Sequence, residues 1–253
     1  MILWLVFGVA YQPVLHARMY GQKLCKEEGY QCKRIKRGQT WSSLWPNPAE
    51  RTLVMRINRM NTQLYAGITV AVPVHLENAD IMEFSPFPKQ IQTEQEKLLV
   101  VDPETAAWGA FDADGHLVKW GPISAGADYC KDVDEPCRTH EGSYRIYSLG
   151  SSDCISRKFP LPDGGAPMPY CMYFNNGQAL HGEPNGLPGY HASHGCVRLY
   201  SNDAEWLRYS FVEGPNESND FRGTKIIVGT YDAPNPYEEN DPGQSEDEED
   251  TSL

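Results

Sequence analysis

A chain of 253 residues with 40% apolar side chains can bury one large core or two small ones. Its formal charge of -12 at neutral pH repels phosphate backbones, so nucleic acid is excluded as an expected partner. With 22 glycines, 19 prolines and no long helix-rich stretch, the composition points to mainly β structure with many turns.

Residues 1–17 read as a secretory signal: an apolar run over 1–10, then Leu15-His16-Ala17 with a small residue for cleavage, although a basic start is missing. The run is too short to span a bilayer, so no stable membrane span is expected. Residues 30–74 read as a compact βααβ unit. A strand over 31–37 turns at Gly38-Gln39-Thr40 into a helix with Thr40 as N-cap, and Pro46 ends that helix. Leu53, Val54, Ile57 and Met60 recur at helical spacing over 50–60, and Gly67 opens a strand over 68–72 closed by Pro73.

Residues 75–96, with Pro86 and Pro88 and little periodicity, read as a linker. From residue 97 to 231 the pattern becomes short β-like runs: 98–101, 107–111, 117–120, 142–148, 171–174 and 225–230. Asp114-Gly115 and Asn176-Gly177 predict hairpins, and a helix is predicted over 201–209, capped by Ser201 or Asn202. Residues 232–253 are acidic and small, a tail expected to be disordered.

The seven cysteines divide unevenly. Cys25 and Cys32, and again Cys130 and Cys137, bracket short polar segments, while Cys154 and Cys171 flank a Pro/Gly-rich loop. These local pairs close the shortest loops, though other pairings stay open to six cysteines. Disulfides belong to oxidising compartments, so the expected location is outside the cytoplasm, in the periplasm or cell envelope. The alternative is seven reduced thiols in a cytosolic chain. Pairing leaves Cys196 as the odd thiol.

Cys196 lies in the most informative stretch, which runs from His181-Gly182 to Ser193-His194-Gly195-Cys196-Val197-Arg198-Leu199. A thiol attacks an acyl carbon as thiolate, and a nearby imidazole is the usual means of ionising it. Two histidines are candidates. His194 is separated from Cys196 by a glycine that suggests a tight turn, whereas His181 ends a hydrophobic run and can approach from a separate strand. His181 is therefore the expected base and His194 a wall of the pocket. Gly195 lets backbone N–H groups approach a substrate carbonyl as an oxyanion site. His181, His191, His194 and Cys196 are also zinc-ligand types, but neither CxxC nor HExxH spacing is present, so no metal is expected.

Taken whole, HG followed by a spacer and SHGCVRL resembles the active-site signature of the L,D-transpeptidases of the YkuD type. The likeness extends over roughly residues 97–231 and includes Glu141-Gly142-Ser143-Tyr144-Arg145-Ile146, with Thr139-His140 where proline is common. The resemblance implies a β-sandwich-like catalytic domain that uses no cofactor. Cys196 would be the nucleophile, His181 the base and the Gly182 carbonyl its orienting group. His194 and the N–H groups of Gly195 and Cys196 would border the oxyanion site. Ser193 would lie with Arg198 at the substrate, and Arg198 would meet a substrate carboxylate or stabilise the pocket through a salt bridge. The expected partners are peptidoglycan stem peptides, joined in 3→3 cross-links through a thioester. The same acyl-enzyme with water as acceptor would be an L,D-carboxypeptidase, and attachment of a protein amine is a third outcome. A non-catalytic wall-binding or surface-interaction protein is the reading from another class. Gly38-Gln39-Thr40-Trp41, Arg56-Ile57-Asn58 and the run from Leu64-Tyr65-Ala66-Gly67 to Val70-Ala71-Val72-Pro73 make the first unit similar to a LysM module, which implies glycan binding.

Overall fold

The computed structural model describes residues 19–231, so the expected signal segment and all of the acidic tail lie outside the described residues. The first unit begins with a short helix α1 (Tyr20–Leu24) and strand β1 (Tyr30–Arg34). Helix α2 (Trp41–Leu44) follows, with the Thr40 side chain accepting from the Ser43 amide in a capping box. Helix α3 (Pro48–Ile57) starts on an Asn47 cap with proline in its first turn and lays Leu53, Val54 and Ile57 inward. Strand β2 (Thr69–Pro73) closes the unit by pairing antiparallel with β1. Buried Asn58 knits helix to sheet: its amide donates to Val54 O and Ala71 O, and its carbonyl accepts from the Ala71 amide.

The second unit is a nine-stranded sheet. Its strands in chain order are β3 (Leu98–Asp102), β4 (Ala107–Phe111), β5 (Leu117–Ser124), β6 (Gly142–Arg145), β7 (Ser148–Leu149), β8 (Met172–Asn175), β9 (Gln178–Gly182), β10 (Val197–Leu199) and β11 (Lys225–Val228). They lie in the spatial order β6-β11-β3-β4-β5-β10-β9-β8-β7. The two edge strands are consecutive in sequence, separated only by Ile146 and Tyr147. A connection that short forces the sheet to curl until its edges meet, and Ile146 is fully buried in the core so enclosed. Leu99, Val101, Trp108, Leu180, Val197 and Leu199 fill this core, together with Ala204 of helix α4 (Ser201–Trp206).

The outer face of β3 and β4 is covered too. Phe87 packs on Leu98, Val100, Phe111 and Trp120, and Trp120 Nε1 donates to Ile81 O at 2.9 Å. The segment expected as a linker therefore runs as a packed strap over the sheet. This explains why β3 and β4 read as continuous apolar runs without alternation. Gly109 leaves room for the Phe87 ring, which a Cβ would meet at 2.9 Å.

Both hairpin signals fall between antiparallel partners, β4 with β5 and β8 with β9. The run predicted over 142–148 splits into the two edge strands, because the chain must leave one edge and rejoin the other. The predicted helix cap is corrected: α4 starts after Tyr200, with no side chain capping it, and its end widens into a π turn over Leu207–Phe211. Three disulfides join Cys25 to Cys32, Cys130 to Cys137 and Cys154 to Cys171, leaving Cys196 as a free thiol. Among the described residues, no helix is long and apolar enough to cross a membrane.

The two units are fastened together. Arg56 of α3 makes a bidentate ion pair with buried Asp203 of α4, at 2.8 and 2.6 Å, and Lys119 approaches the same carboxylate at 3.3 Å. The Arg59 guanidinium lies between the rings of Tyr20 and Trp120 and donates to Thr105 O. Asn61 accepts from the Leu187 amide at 2.6 Å through its side chain, and its own amide donates to Leu187 O at 3.0 Å.

Candidate active site

Two neighbouring parallel strands position the central pair. In the β9–β10 register, His181 lies opposite Arg198 and Leu180 opposite Val197. Side chains alternate along a strand, so Cys196, two residues before Arg198, returns to the face that His181 occupies. Both open onto one cavity of about 530 Å³, shared with Tyr147, Tyr173, His194 and Arg198.

His181 is 4% exposed and its Nδ1 is 2.8 Å from the Gly182 carbonyl oxygen. A carbonyl only accepts, so Nδ1 carries the proton and Nε2 keeps its lone pair. Burial pushes the imidazole down to about 4, against the opposing pull of the Gly182 carbonyl, with the Arg198 charge lowering it further. The ring is therefore neutral at pH 7, the state a proton acceptor needs.

The thiol differs from the sequence-based expectation. Burial pushes Cys196 up, only partly offset by the Ala179 amide and the Arg198 charge. Its S–H points to Gly177 O at 4.0 Å, and among the described residues no hydrogen bond joins it to His181. The resting site is a neutral thiol beside a neutral imidazole, in place of a preformed thiolate–imidazolium pair. Hydrogen bonds between catalytic groups often tighten only when substrate binds, so this geometry is compatible with proton transfer.

The turn at residues 193–196 is held from within. Ser193 is 1% exposed; its Oγ accepts from the Gly195 amide at 3.0 Å and donates to the Cys196 carbonyl. That hydroxyl, expected at the substrate, is thus engaged on both sides in shaping the turn. The expected oxyanion donor at Gly195 is corrected for the same reason, because its N–H is already used and its carbonyl accepts from Thr139 Oγ1 at 2.9 Å. Gly195 has φ +110, a conformation other residues rarely adopt, and a Cβ there would lie 2.9 Å from Gln178 Nε2.

His194 stands at the pocket wall and ties two loops together. Its Nε2 lies 2.9 and 2.8 Å from the two Asp132 carboxylate oxygens and donates to them, and its ring stacks on Phe159 at 4.2 Å. The His194 hydrogen bond holds the Asp132 carboxyl below its usual range. Asp132 belongs to the loop closed by Cys130–Cys137 and Phe159 to that closed by Cys154–Cys171. Arg198, for its part, has Nε 3.4 Å from Glu183. Of the two roles expected for it, the salt bridge is the one observed.

Sequence reasoning missed Asp132, Phe159, Thr139 and Asn61. A polar residue inside a cysteine-bracketed loop was visible, but nothing in the pattern names its partner 62 residues away. Asn61 was equally silent, since its contact is made to a loop of the other unit.

The family model of the YkuD L,D-transpeptidase catalytic domain matches residues 96–228. No curated protein matches the chain. Among solved structures, an L,D-transpeptidase (residues 123-326) from Xylanimonas cellulosilytica is similar at 20% identity and TM-score 0.50, covering 78% of this chain and 98% of that one. An L,D-transpeptidase from Stackebrandtia nassauensis is 21% identical, with TM-score 0.43 and coverage of 58% of this chain and 61% of that one. The first likeness agrees in fold with the curled sheet described above, and the family match covers more than half of the sequence. The chain belongs to the L,D-transpeptidase family, with its catalytic domain over residues 96–228.

Proposed function

We propose that the protein is a peptidoglycan L,D-transpeptidase in which Cys196 is the nucleophile and His181 its base. The observation that carries this is that both lie on one face of adjacent parallel strands, with His181 Nδ1 committed to the Gly182 carbonyl and Nε2 making no hydrogen bond among the described residues. As a stem-peptide carbonyl enters, Nε2 takes the thiol proton while sulfur forms its bond to the carbonyl carbon. The proton then passes to the amine of the terminal D-alanine as the C–N bond breaks, leaving a thioester. An amine of a second stem attacks the thioester, the C–S bond breaks, and the thiol and the neutral imidazole are restored with a 3→3 cross-link. Developing oxyanion charge needs donors other than the Gly195 N–H; the Cys196 N–H stays the candidate.

Export and residence in the cell envelope are supported by the three disulfides, which persist in oxidising surroundings. The βααβ unit over residues 30–74 is proposed as a LysM-like glycan-binding module, with 75–96 the connection and 97–231 the catalytic unit. Its Trp41 is buried and donates to Thr62 O, and Arg56 and Asn58 are used in docking and knitting, so sugar recognition falls to other residues of that unit.

The test is incubation of purified full chain with a disaccharide-tetrapeptide and mass analysis of products. The expected products are a cross-linked dimer and free D-alanine. Trimmed tripeptide without dimer assigns water as the acceptor and overturns cross-linking. Wall binding and cell phenotype left unchanged in Cys196→Ala would favour a surface-interaction role over catalysis.

A further inference from the structure

Arg198 faces Glu183 through Nε at 3.4 Å, and two further cations line the cavity. Arg157 and Lys158 line the cavity from the lobe closed by Cys154–Cys171. Both are exposed, and among the described residues neither the guanidinium nor the ammonium is paired with a carboxylate. The charged residues lining the cavity are these two, Arg198 and Glu183, and the last two face each other. His181 is neutral and His194 is held by Asp132. The lip of the cavity therefore carries two uncompensated positive charges in a chain whose net charge is -12.

The lobe that carries them is braced. The Ser156 amide donates to Ala166 O at 2.8 Å, the Gly165 amide to Ser156 O at 2.8 Å, and the Ala166 amide to Phe159 O at 3.0 Å. Phe159 also packs on His194, two residues from the thiol, while the Lys158 ammonium sits 5.0 Å from the Phe159 ring centre. The Arg157 charge also acts on Tyr173, a residue lining the same cavity, where it opposes the raising of the hydroxyl. Two cations on a braced support, lining the same cavity as the nucleophile, attract and orient an anion before reaction.

We propose that Arg157 and Lys158 are specificity-determining residues that recognise a carboxylate of the peptide entering the Cys196 site. That carboxylate is either the terminal one on the leaving residue or a side-chain one next to the attacked carbonyl. The proposal rests on the acyl-transfer reading for its substrate, but the charge of the site is testable without it.

In the full-length protein, Cys196 is alkylated with iodoacetate and, separately, with neutral iodoacetamide at low salt, following mass on the one free thiol. The iodoacetate-to-iodoacetamide rate ratio is expected to fall about tenfold in the double variant Arg157→Gln/Lys158→Gln, roughly the work of two partly screened charges. It should stay at the native value in Lys33→Gln/Lys36→Gln, which removes the same charge far from the cavity. An unchanged ratio in the cavity variant overturns the proposal, whatever the protein's reaction is. A second arm compares acyl-enzyme formation from tetrapeptides amidated at the C-terminus or at the third-residue side chain with that from the free acid. The carboxylate whose amidation raises KM in native protein but not in the double variant is the one recognised. If neither amidation distinguishes the two proteins, the proposal fails even where the acyl-enzyme itself forms.

Discussion

The turn at residues 193–196 is held from behind and from in front by quite different means. Behind it, the loop over residues 183–190 is docked on the N-terminal unit through Asn61, the Met60–Pro188 bridge and the Tyr20 amide on Gly189 O, with the Arg56–Asp203 ion pair close by. Leu187 is fully buried in this seam. In front, two disulfide-closed lobes meet the turn at a solvent-accessible contact, His194 against Asp132 and Phe159. The rear is a mount made of part-buried polar contacts, and the front is a solvent-accessible wall built from two disulfide-closed lobes. Stability should therefore reside behind the turn and selectivity before it.

The largest expected effect falls on the rear mount. Arg56→Ala strands a fully buried carboxylate, with Lys119 as its remaining partner, and is expected to cost about 3–5 kcal/mol in denaturant unfolding. A loss below about 1 kcal/mol would show that the two units fold independently and would break the comparison.

Acid is the next probe. His181 is held near 4, below its unfolded value of 6.5, so the unfolded chain takes up the proton first as pH falls. Its contribution is complete above about pH 6.5 and disappears by about pH 4, a loss on the order of 3 kcal/mol. Subtracting the stability profile of His181→Gln from that of the native protein should isolate this window. A flat difference between the two pH values would show that the ring is not buried neutral.

Asn61→Ala removes the side-chain acceptor of the Leu187 amide and should cost about 1–2 kcal/mol. It should also slow acyl-enzyme formation, because the loop it holds joins the strand of His181 to the turn of Cys196. At the front, Asp132→Asn is the mildest change. It is expected to leave the melting temperature where it was, since the contact is open to solvent, while altering KM more than kcat. A large melting shift there would transfer the structural role to the wrong side of the turn.

The same division governs what could be read from the sequence. His181-Gly182 and the 193–199 run carry their chemistry in local pattern, and the hairpins announce themselves through Asn176-Gly177 and Asp114-Gly115. The three disulfides join neighbours in the chain, so loop length alone ranked them correctly. By contrast, the strap over β3 and β4 was invisible, because Phe87 among prolines has no periodicity to distinguish a packed strap from a free linker. The use of Gly195 N–H by Ser193 Oγ was equally hidden, since composition cannot say which of two turn groups bonds first. The state of the thiol was misjudged for a physical reason. A histidine nearby suggests a lowered thiol, but burial acts on both partners and drives each toward its neutral form.

The pH dependence of acyl-enzyme formation, followed by intact mass with a disaccharide-tetrapeptide, tests the central pairing most directly. Native protein should gain the acyl group on Cys196 with an acid limb near 4, the pH at which buried His181 takes up its proton, and His181→Gln should gain almost none. Undiminished acylation in His181→Gln would contradict a proton transfer from the thiol to that ring, and an acid limb at the ordinary imidazole value would show that burial does not hold the ring near 4.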